Sequence, residues 1–123
     1  MSLSRTHALY RYGLRRLLGC ALLALALVAP PVCADDLPQF ELTIENHRWQ
    51  PSELKVPAGT KFKLVVINQD ATPEEFESID LKREKIVMPG GRISVFIGPL
   101  APGSYAFFGD FHQDTAQGRL IAE

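Results

Sequence analysis

The sequence predicts an all-β protein, a β-sandwich with Greek-key connections. Three observations lead to this class. Apolar and polar residues alternate in short segments, Pro and Gly form turns between these segments, and aromatic residues recur at alternate positions. About seven such segments follow one another between residues 40 and 122. This number and spacing of short segments are typical of a small sandwich.

The first half of the predicted sandwich contains three strands. Residues 40–45 alternate apolar and polar side chains, as expected of a half-buried strand. Leu54 and Val56 keep the same period before a turn at residues 57–60. Residues 61–68 are apolar on one face and partly apolar on the other. This pattern predicts a central strand that is covered on both sides.

The second half begins with a predicted helix start at residues 72–75. Thr72 would be the N-cap, Pro73 the first helical residue, and Glu75 the acid that completes a capping box. A short helix or an irregular loop would then extend to about Lys85. Four further strands are predicted at 86–88, 92–98, around 105–107 and 118–122.

The first 34 residues are predicted to be a secretory signal peptide. Several arginines precede an apolar run of 13 residues at 17–29, and small residues at 32–34 suit a signal peptidase. The apolar run is short for a membrane helix, which needs about 20 residues. Cleavage after Ala34 would leave one exported domain, residues 35–123, without a membrane span.

The predicted mature domain is acidic and contains no cysteine. Its 14 Asp and Glu exceed its nine Lys and Arg, and both cysteines, Cys20 and Cys33, lie in the predicted signal peptide. The acidic balance argues against nucleic acid and anionic membranes as partners and is compatible with cations. The domain therefore has neither a disulfide nor a thiolate metal ligand.

The framework of the domain resembles the cupredoxins. The first half of that fold is matched by Trp49-x-Pro51-x-x-Leu54-x-Val56-x-x-Gly59-Thr60-x-Phe62-x-Leu64-x-Val66-x-Asn68-x-Asp70. The strand that leads into the family's copper loop is matched by Gly103-x-Tyr105-x-Phe107. The resemblance spans roughly residues 40–122 and implies a cupredoxin-like sandwich.

The resemblance extends to only one of the four ligands of a blue-copper site. Glu74 stands where the first histidine would be, Gly109 stands at the cysteine, and His112 matches the second histidine. No methionine follows. Because blue-copper chemistry requires a plane of two His and one Cys, the sequence predicts no electron transfer of that type.

Six side chains on the two loops that meet at one end of the resembled fold are candidate metal ligands. They are Glu74, Glu75, Glu77, Asp110, His112 and Asp114. Carboxylates with one imidazole suit iron, manganese, or Cu²⁺ in a non-blue site. On a helix, Glu74 and Glu77 would share one face. The acidic residues also have a structural interpretation, since they suit the first turn of a helix and loop turns.

Three runs of sequence are similar to the EfeO-type cupredoxin-like family. They span residues 74–78, 81–85 and 108–112. This resemblance implies an accessory of periplasmic ferrous iron uptake that binds iron, with copper as a further candidate cofactor. Its partners would be a periplasmic iron-binding protein and an inner-membrane permease.

The resemblance leaves open whether the protein only binds and delivers iron or also oxidises it in a ferroxidase-like step. Two other functions stay open: a periplasmic copper carrier, and a metal-free interaction domain on a cupredoxin frame. His47 is expected at the surface in a turn, with a second metal contact as the lesser alternative. Lys82, Arg83 and Lys85 are expected to form a solvated basic face, with a docking patch for a partner protein as the lesser alternative.

Overall fold

The computed structural model describes residues 28–31 and 36–123. The chain divides into two compact units, and the unit that contains the strands is Pro31–Glu123. The predicted cleavage site and most of the predicted signal peptide lie outside the described residues. In the part that is described, no helix has the length and apolarity needed to cross a membrane.

The described residues form two β-sheets, which confirms the all-β prediction. The strands are β1 (Gln39–Glu45), β2 (Arg48–Gln50), β3 (Glu53–Val56), β4 (Phe62–Asn68), β5 (Glu74–Ser78), β6 (Arg83–Val87), β7 (Arg92–Ile97), β8 (Gly103–Gly109) and β9 (Gln117–Ala122). A 3₁₀ helix, Asp110–His112, lies between β8 and β9. One sheet has the order β2-β1-β4-β7 and the other β3-β9-β8-β5-β6.

The core lies between the inward faces of these sheets. Strand β4 buries five of its seven residues, as predicted for a central strand, because it lies between β1 and β7. Three aromatic rings, those of Trp49, Phe76 and Phe107, contact one another with centroids 5.4–6.0 Å apart. Phe76 belongs to β5 and Phe107 to β8. These rings hold the strands that lead to the loop end carrying the candidate ligands.

The predicted helix start at residues 72–75 is wrong. Residues 74–78 form β5, which pairs with β6 along its whole length and with β8 near Phe76. The segment forms a strand in spite of its helix-capping residues, because every second residue, Glu74, Phe76 and Ser78, is buried. In a strand, Glu74 and Glu77 point to opposite faces. The expectation that they share one face is therefore wrong as well.

A two-residue turn joins β1 and β2 and carries His47. Asn46 and His47 both have positive φ, 52° and 56°, as in the tight turns that suit the twist of a hairpin. The carboxylate of Asp70 accepts hydrogen bonds from both backbone N–H groups, at 2.6 and 2.9 Å. Strand β2 has only three residues and was not among the predicted strands.

The two basic residues of β6, Arg83 and Lys85, are exposed, and both contact the other sheet. The Nε of Arg83 donates to the carbonyl of Phe96 at 3.3 Å, and the Nζ of Lys85 donates to the carbonyl of Ser94 at 3.2 Å. Strands β6 and β7 lie at the edges of their sheets. These side chains therefore cover carbonyl groups of an edge that could otherwise pair with another chain.

Candidate metal site

A buried carboxylate forms the base of the site. The side chain of Glu74, the first residue of β5, is 2% exposed. Its Oε2 lies 2.5 Å from Nδ1 of His112, and its Oε1 accepts hydrogen bonds from the backbone N–H of Phe111 at 3.0 Å and of Glu75 at 3.1 Å. A buried carboxylate without partners would be costly. These bonds therefore both stabilise Glu74 and attach the 3₁₀ helix to β5.

Gly109, the last residue of β8, leaves the space that this carboxylate occupies. A Cβ atom added to Gly109 would lie 2.7 Å from Cδ of Glu74 and 2.7 Å from the Cβ of Ala116. Any side chain here, including that of cysteine, would have to displace one of these groups. The position that the resemblance assigns to a thiolate is thus closed by Glu74, and the described residues do not fit a blue-copper centre.

The ring of His112 stacks on the ring of His47. Their centroids are 3.5 Å apart and their planes differ by 15°. The Nε2 of His47 lies 3.4 Å from Oγ1 of Thr72. The expected turn at His47 is present, but the ring is half-buried rather than free at the surface. The alternation of residues 40–45 followed by Arg48-Trp49-Gln50 was the signal that could have revealed this hairpin.

Both histidines line an open pocket of about 430 Å³ at the end of the sandwich. Asp110 and Asp114 also line it, so three of the six predicted ligands lie at this pocket and Glu74 lies behind His112. Asp110 accepts a hydrogen bond from Gln113 Nε2 at 2.6 Å. The pocket therefore combines two imidazoles with two carboxylates.

The remaining predicted ligands, Glu75 and Glu77, lie on the outer face of β5. Partial burial raises the pKa of Glu77, and the nearby carboxylates of Asp110, Glu75 and Glu84, with a hydrogen bond to Asp110, raise it further. The structure thus brings Glu77 to Asp110 but does not gather all six predicted ligands. Among residues 36–123, no three His, Cys, Asp or Glu side chains are already placed to hold one ion.

The Glu74–His112 pair has the form seen behind many metal sites. A histidine that binds a metal usually donates its other ring N–H to a carboxylate, a backbone carbonyl or a water molecule, which fixes the orientation and tautomer of the ring. Here Glu74 holds Nδ1, and Nε2 has no hydrogen bond to any residue of 36–123. The arrangement leaves Nε2 of His112 as a nitrogen donor with a fixed orientation.

Comparison with known proteins gives one family and a consistent fold. The family described as the Cupredoxin-like domain matches residues 18–122. An uncharacterized protein of Rickettsia prowazekii (strain Madrid E) is 50% identical over 92 residues, which cover 75% of this chain and 74% of that protein.

Two solved structures illustrate the similarity of fold. Amicyanin from Paracoccus versutus has a TM-score of 0.55 at 19% identity, with 76% of this chain and 92% of amicyanin covered. Auracyanin A, a "blue" copper protein from Chloroflexus aurantiacus, has a TM-score of 0.59 at 15% identity, with 69% and 98% covered. At these identities the likeness concerns the fold alone.

Proposed function

Because the chain belongs to the cupredoxin-like domain family, we propose that it is an exported metal-binding protein whose principal ligand is His112. Its role is that of an accessory in periplasmic ferrous iron uptake, which binds iron and passes it to a periplasmic iron-binding protein and an inner-membrane permease. The proposed function does not include blue-copper electron transfer, since Glu74 fills the space that the thiolate ligand would need.

The observation that carries this proposal is the hydrogen bond between buried Glu74 and His112. Stability alone does not explain a carboxylate buried to this degree, because apolar side chains can often replace a buried ion pair without lowering the free energy of unfolding. Orienting a histidine toward a metal is such a reason. The other nitrogen of His112 belongs to a side chain that lines the pocket and is 26% exposed.

Iron is supported by the chemistry of the pocket and by the sequence resemblance. The carboxylates of Asp110 and Asp114 line the pocket beside the imidazoles, and iron accepts both donor types. The runs at residues 74–78 and 108–112, which resemble the EfeO-type family, contain Glu74 and His112. Binding and delivery are proposed rather than oxidation, because oxidation of Fe²⁺ would also require an electron acceptor, whereas binding and delivery do not.

A metal titration tests this function. The purified protein is titrated with Fe²⁺ without oxygen, Fe³⁺, Mn²⁺, Cu²⁺ and Zn²⁺, and melting temperature and binding heat are followed. At 100 times its dissociation constant, a bound ion adds about 2.7 kcal/mol to the free energy of unfolding. We expect iron to stabilise the parent and His112→Ala to lose this effect.

The control is Thr115→Ala, which changes another residue that lines the same pocket and keeps both imidazoles and both carboxylates. It should bind the ion as the parent does. Stabilisation by Cu²⁺ alone would instead indicate a copper carrier. If no ion stabilises the parent, or if His112→Ala is stabilised equally, the proposed metal site is wrong.

A metal-free interaction domain is the second candidate, and one observation favours it. Both oxygens of Glu74 are already bonded within the chain, and the carboxylate fills the space beside Gly109. In this case the Glu74–His112 pair only closes the end of the sandwich. The domain would then bind its partner protein equally well after His112→Ala, and no ion would change its melting temperature.

A further inference from the structure

We propose that His47 supplies a second imidazole to the ion that His112 binds. The inference rests on the proposed function and adds to it a ligand from a different hairpin. The ion would be a divalent first-row transition metal that accepts nitrogen donors, a class that includes Fe²⁺ and Cu²⁺.

The placement of the two rings supports a shared ion. Their centroids are 3.5 Å apart, and both rings line the same pocket. In each ring one nitrogen is in contact with a neighbour, Glu74 for His112 and Thr72 for His47. Within residues 36–123 no hydrogen bond involves the other nitrogen of either ring, so two imidazole nitrogens remain for a ligand.

The backbone that carries His47 holds its ring at this pocket. Its φ of 56° is uncommon for a residue other than glycine, and the same holds for Asn46 at 52°. Asp70 stabilises this turn by accepting both backbone N–H groups. The stabilised turn also fixes the direction in which the side chain of His47 leaves the backbone. Here it places the His47 ring against His112.

Binding one ion through both rings requires a small rearrangement. The lone pair of an imidazole nitrogen lies in the plane of the ring. Two stacked rings must therefore rotate away from each other before both can bind one ion. His112 is held at 2.5 Å by Glu74, whereas the side chain of His47 has only a 3.4 Å contact with Thr72. A contact of this length is weak. His47 is therefore the ring expected to turn.

Electron paramagnetic resonance of the Cu²⁺-loaded protein tests this inference, because splitting by nitrogen nuclei counts the imidazoles bound. The parent is compared with His47→Asn, which removes the imidazole and keeps a residue type that tolerates positive φ. We expect two imidazole nitrogens in the parent and one in the variant. Loss of a residue that only orients a metal ligand already lowers metal affinity by about tenfold or more. Loss of a direct ligand in His47→Asn should therefore lower the Cu²⁺ affinity by at least about tenfold.

Thr72→Ala is the matched control, since it removes the contact of His47 with Thr72 and leaves both rings. It should keep two bound nitrogens, and circular dichroism should show that all variants remain folded. An unchanged nitrogen count and affinity in His47→Asn, with binding still lost in His112→Ala, would overturn the inference and leave the proposed function standing. A parent that binds no metal ion would overturn both.

Discussion

Nδ1 of His112 lies 2.5 Å from Oε2 of Glu74, so the 3₁₀ helix after β8 is bonded to the first residue of β5. This one contact has two consequences. It closes the end of the sandwich around a carboxylate that is 2% exposed. It also fixes which nitrogen of His112 is left to face a ligand. The account of the site depends on both.

Removing the carboxylate should destabilise the protein. In Glu74→Ala, the N–H groups of Phe111 and Glu75 and the ring of His112 lose their acceptor. Loss of a buried charged partner of this kind costs about 3 kcal/mol. Denaturant unfolding measures the change. Glu74→Gln keeps the volume and one oxygen and should cost less, whereas a cost below about 1 kcal/mol for the alanine variant would contradict this assignment.

The space at Gly109 should be closed to any side chain. Gly109 has a φ of −91°, which every residue adopts, so the cost of Gly109→Ala comes from contact rather than from backbone strain. Overpacking of this type costs about 1–3 kcal/mol. The cost should be smaller when Ala116→Gly is also present, since the Cβ at 2.7 Å is then gone. A neutral Gly109→Ala in the parent would show that Glu74 does not fill this space.

The turn at His47 should favour residues that tolerate a positive φ. At 56°, His47→Gly is relaxed, whereas His47→Val places a β-branched side chain in the left-handed region. We expect the valine variant to be less stable than the glycine variant by about 1–2 kcal/mol in thermal unfolding. At Arg48, an extended position in β2, the same pair should show the reverse order. Equal stabilities at His47 would rule out this turn.

Glu77 should make stability depend on pH. Partial burial and the carboxylates of Asp110, Glu75 and Glu84 raise its pKa in the folded protein. The stability it contributes is fully present below its pKa in the unfolded chain and is lost as pH rises through its pKa in the folded protein.

Glu77→Gln carries no charge and should therefore be more stable than the parent at neutral pH. The difference should shrink as the pH falls into the range where carboxyl groups are protonated, and melting temperatures across this range measure it. High salt should also reduce the difference, because it screens the neighbouring carboxylates. A parent that gains stability from this group as pH rises would contradict the raised pKa.

Most of the strands could be predicted because they are marked locally. Phe62, Leu64 and Val66 alternate in β4, and all three are buried. Strand β5 was missed for a physical reason. Its buried positions include Glu74 and Ser78, which are polar and do not stand out as an apolar alternation. The preceding Thr and Pro supply a local helix start, but pairing with β6 decides the structure.

The candidate site could be located from the sequence but not assembled. The resemblance aligned Glu74, Gly109 and His112 with ligand positions of the blue-copper site, and the structure brings these three residues into contact or close approach. The stack of His47 on His112 depends on a turn 65 residues earlier in the chain. The contact between Glu77 and Asp110 requires that Glu77 lie on the outer face of β5. Local sequence patterns do not predict contacts between residues that lie this far apart in the chain.

The most direct test of the central claim is nuclear magnetic resonance of protein with ¹⁵N-labelled histidine, with and without Zn²⁺ as a diamagnetic ion that imidazole binds. If His112 is a ligand oriented by Glu74, its Nε2 resonance shifts on metal addition, and its Nδ1 keeps a bonded proton facing the carboxylate. If neither nitrogen responds, or if Nδ1 binds the ion in place of Glu74, the proposed role of the Glu74–His112 pair is wrong.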